Sequence, residues 1–192
     1  MLRKLIALSL LLCFIPFCLG VAEPVTLSTS EAWRESMIDY FDSLEIDLTF
    51  TKEALGAPYP DGWEIYRAKS DDDDWLLLQV LSADQENIEC SVIYNGEDSI
   101  KNESMLVEAW NGAISAFYQN LSDERALSFI EALQEDLKQQ QRFTNQNLDS
   151  FYELEGRVDI EGTIVRLAQG RITLINSTKL LEEYEKNVED KR

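Results

Sequence analysis

The chain has 192 residues, with 36 Asp and Glu against 17 Lys and Arg, a formal net charge of −19 and no histidine. A polyanion of this kind is repelled by phosphate backbones and anionic membranes, which sets nucleic acid aside as a partner. The missing imidazole excludes Ser-His-Asp and Cys-His catalysis as usually built, and removes the commonest ligand of zinc and other transition metals.

The first 22 residues read as a secretory signal peptide. Arg3 and Lys4 make a short basic start, Leu5 to Leu19 is almost wholly apolar, and Gly20-Val21-Ala22 presents small residues where a signal peptidase cuts. An uncleaved anchor needs about 20 apolar residues. Leu5 to Ala22 approaches that length, but Pro16 interrupts it and Glu23 follows in place of a basic cluster. Cys13 follows Leu12 and Cys18 follows Phe17, so neither sits behind the small residue that a lipoprotein signal places before its cysteine. The expected product is exported, periplasmic or extracellular, with no stable membrane anchor.

Cleavage after Ala22 leaves 170 of the 192 residues, enough for one ordinary domain. It removes two of the basic residues, so 15 face the 36 acidic ones and the net charge becomes −21. Cys13 and Cys18 leave as well. Cys90 then stands alone, so no intrachain disulfide forms and the fold rests on its core. Its apolar neighbours in a strand pattern predict a buried, inert thiol.

Residues 23–29 read as a short leader. Trp33, Met37, Tyr40, Phe41 and Leu44 then recur on one helical face, with cap chemistry in Ser28-Thr29-Ser30-Glu31. Ile46, Leu48 and Phe50 alternate with polar residues and predict a half-buried strand. Two prolines and two glycines make Gly56 to Gly62 a loop. Trp63 to Lys69 predicts the next strand. Trp75 to Leu81, apolar apart from Gln79, predicts a central strand buried on both faces. Ile88, Cys90, Val92 and Tyr94 alternate, and Asn95-Gly96 ends that strand.

The period then changes. Leu106, Ala109, Trp110, Ala113, Ile114, Phe117 and Leu121 form one helical stripe. Ser122 and Asp123 cap a second, carried by Ala126, Phe129, Ile130, Leu133 and Leu137, with Lys138 to Gln141 as its polar end. Tyr152, Leu154, Val158 and Ile160 return to strand patterning, with a bend at Gly156. Thr163 to Leu167 and Arg171 to Ile175 flank Ala168-Gln169-Gly170 as a tight hairpin. Leu180, Leu181, Tyr184 and Val188 sketch a last short helix whose end frays from about residue 185.

The order helix, four strands, two helices, three strands, helix predicts a single α+β domain over residues 30–192. Its core is a mostly antiparallel sheet of about six to seven strands, with two long helices packed on one face. This order, together with Tyr59-Pro60-Asp61-Gly62-Trp63, resembles small exported α+β proteins of the PsbP-like type; the resemblance covers that short segment and the element order.

Candidate sites are few. Asp71, Asp72, Asp73 and Asp74 place four carboxylates in one turn, which points to Ca²⁺ as the one cofactor to test. Consecutive side chains diverge, however, and the alternate spacing, central glycine and distal glutamate of an EF-hand loop are missing. A charged, soluble hairpin tip is the plainer expectation. Tyr59 and Trp63 offer rings to a sugar or peptide, against the expectation that Trp63 packs inward. Asp47, Glu64 and Glu89 lie on strands, where carboxylates pointing into a cleft run glycoside hydrolysis without histidine; the plainer expectation is that they mark the solvent faces of those strands. Asn102-Glu103-Ser104, Asn120-Leu121-Ser122 and Asn176-Ser177-Thr178 match the glycosylation acceptor pattern.

The expected function is therefore that of an exported, non-enzymatic binding protein. Its partner is a protein or cell-envelope component that docks on the open sheet face or beside the Tyr59–Trp63 loop. The alternative is a carboxylate-dependent hydrolase acting on polysaccharide or cell-wall material.

Overall fold

The computed structural model of the chain describes residues 26–96, 103–119, 121, 126, 128–133, 135, 155–160 and 162–189. The signal-peptide expectation, the polar helix end at 138–141 and the positions of Tyr152 and Leu154 lie outside them. Among the described residues, no helix is long and apolar enough to cross a membrane.

The first helix, α1, runs Ser30–Asp42 and begins where Thr29 Oγ1 accepts the Ala32 amide at 3.2 Å. Its buried residues Trp33, Met37 and Phe41 recur every fourth position, as one inward stripe demands. Seven strands follow: β1 Thr51–Ala54, β2 Glu64–Lys69, β3 Trp75–Leu81, β4 Asn87–Tyr94, β5 Glu155–Ile160, β6 Thr163–Ala168 and β7 Arg171–Asn176. They pair antiparallel in the order β1-β2-β3-β4-β7-β6-β5. Helix α2, Glu103–Phe117, lies in the chain between β4 and β5, and α3, Ser177–Glu189, follows β7 directly. Residues 126, 128–133 and 135 are helical too. The architecture is α+β, as the element order requires.

The core fills the space between one sheet face and the helices. Trp75, Leu77, Cys90, Val92, Tyr94, Val165, Leu167, Ile172 and Leu174 from the strands meet Trp33, Met37 and Phe41 of α1. They also meet Leu106, Trp110, Ile114 and Phe117 of α2, and Ala126, Ile130 and Leu133 of the next helical run. Each such apolar side chain, taken from water, stabilises the fold by about 1.5–3 kcal/mol. Aromatic edges organise the centre: the Phe41 and Trp75 ring centroids lie 5.1 Å apart, and those of Trp75 and Tyr94 4.9 Å apart.

Two strand expectations are corrected. Residues 46–50 form no strand: Leu48 is buried, and Ile46 and Phe50 pack against the core, Phe50 edge-on to Trp33. Their alternation serves packing and not ladder pairing. The chain reaches the free edge of β2 only at Thr51, and all four residues of the resulting strand are exposed. The second correction concerns β3. Its burial alternates strictly: Trp75, Leu77, Gln79 and Leu81 point into the core, while Leu76, Leu78 and Val80 are half-covered on the other face. Helices α1 and α2 cover one side of the sheet, so a continuous apolar run here spans a buried and a partly open face.

Gln79 is the polar exception inside, fully buried. Its Nε2 donates to Asn87 Oδ1 at 2.7 Å and to the Ser30 carbonyl at 2.8 Å, and its Oε1 accepts from Arg34 at 2.7 Å. Asn87 Nδ2 in turn donates to the Ser28 carbonyl at 3.1 Å. A register shift between Val80 and Leu81 sets Asn87 opposite Leu81, on the same side as Gln79. The segment before α1 is tied down from the other side: Ser28 N–H donates to the Phe117 carbonyl at 2.9 Å and Gln119 N–H to the Thr26 carbonyl at 2.7 Å.

Between β6 and β7, Gln169 and Gly170 have φ of 42° and 75°, the two left-handed residues of a twist-compatible two-residue hairpin. Cys90 is buried at the sheet centre, and burial pushes its thiol pKa well up, so it is inert as a nucleophile.

Candidate functional site

The loop before β2 is built from successive tight turns. Tyr59 N–H donates to the Gly56 carbonyl at 3.1 Å, and Trp63 N–H to the Pro60 carbonyl at 3.3 Å. Gly62 sits at φ 82°, where a side chain is strained, and an added Cβ would lie 3.1 Å from that of Ala83. This geometry aims Trp63 inward, 3% exposed, while Tyr59 stays 47% exposed. Their ring centroids are 6.3 Å apart.

Helix α3 completes the surface. The Tyr184 ring meets Trp63 edge-on at 6.5 Å, and Tyr184 is 53% exposed. Leu181, one turn earlier on the same helix, is 64% exposed. Among the described residues, the exposed large hydrophobic side chains are these three: Tyr59, Leu181 and Tyr184. Tyr59 and Tyr184 both stand against the buried Trp63, and Leu181 lies beside Tyr184.

A charged latch holds α3 in place beneath them. Asn176 Oδ1 caps the helix by accepting the Lys179 amide at 3.0 Å. Lys179 Nζ lies 2.6 Å from Glu86, 3.4 Å from Asp84 and 3.5 Å from Glu183. Lys186 Nζ lies 3.0 Å from Glu183 and 3.6 Å from Asp84. Glu183 also accepts from Trp63 Nε1 at 3.4 Å. Lys179 and Glu183 are among the few buried charged residues, and a buried charge persists only when paired. The Glu86 hydrogen bond, aided by Asp84 and Glu183, raises the Lys179 pKa above its ordinary value against the opposing pull of burial. Burial alone would raise the Glu183 pKa, but the hydrogen bonds from Lys186 and Trp63 and the lysine charges outweigh it, and the carboxyl is held below its usual range. Asp84 is lowered chiefly by its hydrogen bond from Lys179.

The other sequence candidates are placed elsewhere. Asp71 to Asp74 occupy the turn between β2 and β3. Asp72 accepts from the Ser70 hydroxyl and, at 3.1 Å, from the Asp74 amide, the Ser70 bond contributing most to its lowered pKa. Asp73, at φ 60°, pairs with Lys69 at 3.0 Å. Asp72 is thus spent on the turn itself and Asp73 on Lys69. Among the described residues, no group of three or more Cys, Asp or Glu is arranged to hold a metal ion. Glu64 pairs with Lys52 at 2.8 Å on the helix side of the sheet, and Glu89 with Arg171 at 3.0 Å on the open side, so they share no cleft. Asp47 is exposed ahead of β1.

Sequence reasoning missed Leu181, Tyr184, Lys179 and Glu183. Leu180, Leu181, Tyr184 and Val188 mark the helix in the sequence but not its orientation: Lys179 and Glu183 are buried, and Leu181 and Tyr184 are exposed. The signal was present as the i,i+4 spacing of Lys179 and Glu183.

No family model, curated protein or solved structure matches this chain.

Proposed function

We propose that this protein is exported and acts by binding a protein or envelope component through the surface formed by Tyr59, Leu181 and Tyr184 over Trp63. One observation carries the reading: the exposed large hydrophobic side chains of the described residues gather at one place, on a rigid support, in a chain of net charge −19. Exposed rings and an aliphatic side chain around a buried tryptophan have the composition of an interface hot spot. Trp63 is too deeply buried to offer its ring face to a sugar, which favours a partner that caps the patch over one that stacks on it. Export rests on the signal-like start at residues 1–22.

The test is capture of partners from the host's envelope extract by the purified mature protein, compared with Tyr59→Ala/Tyr184→Ala. The double variant, its fold checked by circular dichroism, is expected to lose a discrete partner retained by the wild type. Equal capture by both removes the patch as the docking surface. Turnover of cell-wall polysaccharide by the wild type overturns the binding reading in favour of a hydrolase.

A further inference from the structure

The sheet face turned away from α1 and α2 carries a second feature, independent of the aromatic patch. Register alignment puts Arg157 of β5 directly opposite Arg166 of β6, and Arg166 opposite Thr173 of β7. Arg171 stands diagonally beside Arg166, opposite Ala168. Three guanidinium groups therefore share one face of three adjacent strands, in a chain with 36 acidic residues. Like charges directly opposite in a ladder are destabilising unless something neutralises them.

The three arginines are not equally provided for. Arg171 is fixed: its Nε donates to Thr173 Oγ1 at 2.8 Å, and one terminal nitrogen lies 3.0 Å from Ser91 Oγ and 3.0 Å from Glu89. Arg157 has only the exposed Asp159, at 3.5 Å. Arg166 is exposed and has no hydrogen bond or ion pair among the described residues. The depression beside it measures about 190 Å³ and is lined by Glu89, Arg166, Ala168, Arg171, Thr173 and Ile175. Glu89 is matched by Arg171, and Asp159 is taken by Arg157. The uncompensated group is the Arg166 guanidinium, a planar fork suited to a carboxylate or phosphate. Ala168 and Ile175 line the rest of the depression with apolar surface.

We propose that Arg166, flanked by Arg157 and Arg171, binds a small oxyanion in this depression, with its phosphate or carboxylate group on the guanidinium and any short apolar stem against Ala168 and Ile175. A depression of about 190 Å³ accommodates one small oxyanion with a short stem, and among the described residues the chain supplies no competing occupant of its own.

The arginine Nε–H signals of the mature protein are followed by NMR during titration with inorganic phosphate and, separately, with butyrate, at constant ionic strength set by chloride. The Arg166 signal is expected to shift and saturate in at least one titration. Saturation with phosphate alone assigns a phosphate-bearing ligand, and with butyrate a carboxylate. Arg166→Gln, at an exposed position that leaves the fold intact, is expected to weaken the response by about tenfold or more. Arg67→Gln, on β2 of the same face, is expected to leave it unchanged. Shifts that never saturate with either anion, or an unchanged affinity in Arg166→Gln, overturn the proposal.

Discussion

At the scale of single residues, the polar groups that the core encloses define its tolerance. Gln79 is fully buried in a strand of otherwise apolar residues, and it satisfies Asn87, Arg34 and the Ser30 carbonyl together. Leucine in its place keeps the volume but leaves those partners short of a hydrogen bond. Each buried group left unsatisfied costs about 1–3 kcal/mol. Gln79→Leu is therefore expected to destabilise the protein by roughly 2 kcal/mol or more, despite being the more hydrophobic side chain. The urea midpoint measures this, and an unchanged or raised midpoint contradicts the role given to the network. The reason Gln79 matters was not legible in the sequence. It interrupts an apolar run, which marks it as unusual, but its partners are 8, 45 and 49 positions away. Only the sheet register and the approach of α1 bring them together.

At the scale of elements, α3 is the most instructive. Its position depends on Lys179, which reaches Glu86 and Asp84 on the β3–β4 hairpin and Glu183 on its own helix. Asp84 and Glu183 are held below the usual carboxylate range, so their contribution is present above that range and is lost as pH falls through their lowered folded values. Lys179 is raised, so its contribution is present below the ordinary lysine value and is lost only as pH rises through its higher folded value. The latch is thus complete between about pH 5 and pH 10. Lys179→Met is expected to lower stability by roughly 2 kcal/mol at pH 7, since hydrogen bonds to charged groups are worth about that much. The difference from wild type is expected to shrink below about pH 4, where the carboxylates protonate in both proteins. Urea titrations of the two proteins from pH 3 to pH 8 measure it; a difference independent of pH assigns Lys179 a packing role only.

Elements also show where the sequence is readable. The stripe Trp33, Met37, Phe41 and the α2 stripe from Leu106 to Phe117 needed no tertiary information, because a period near 3.6 over three turns has one structural meaning; Leu121, read as the last residue of that stripe, is buried but lies beyond the helix. The hairpin at Ala168-Gln169-Gly170 was equally plain, although Ala168 closes β6 and the turn itself is Gln169-Gly170. Short apolar alternations were not: Ile46, Leu48 and Phe50 have strand spacing yet pack against Trp33 and its neighbours without pairing. For α3, two apolar residues beside two charged ones left the direction of the helix open until the hairpin acids fixed it. Of the candidate site, Tyr59 and Trp63 were visible from loop chemistry, and the half supplied by α3 was not.

For the whole molecule, charge and the missing histidine set the response to solution conditions. A chain of net charge −19 repels itself in its compact state, and salt screens that repulsion over about 10 Å at 0.1 M. Raising sodium chloride from a few millimolar to about 0.1 M is expected to raise the melting temperature, whereas the half-exposed Lys52–Glu64 pair and the exposed Lys69–Asp73 pair, which salt weakens, contribute little. Differential scanning calorimetry checks the direction, and a fall in melting temperature would mean that attractive surface pairs outweigh the general repulsion.

The central claim is that Tyr59, Leu181 and Tyr184 form the surface through which the protein works. A photoreactive phenylalanine analogue placed at Tyr184, with a control at the exposed Glu53 on β1, tests it most directly in the host cell. The account predicts one discrete crosslinked species from position 184, absent from position 53 and lost when Leu181→Asp is added. The same adducts from both positions, or none from position 184, would contradict it.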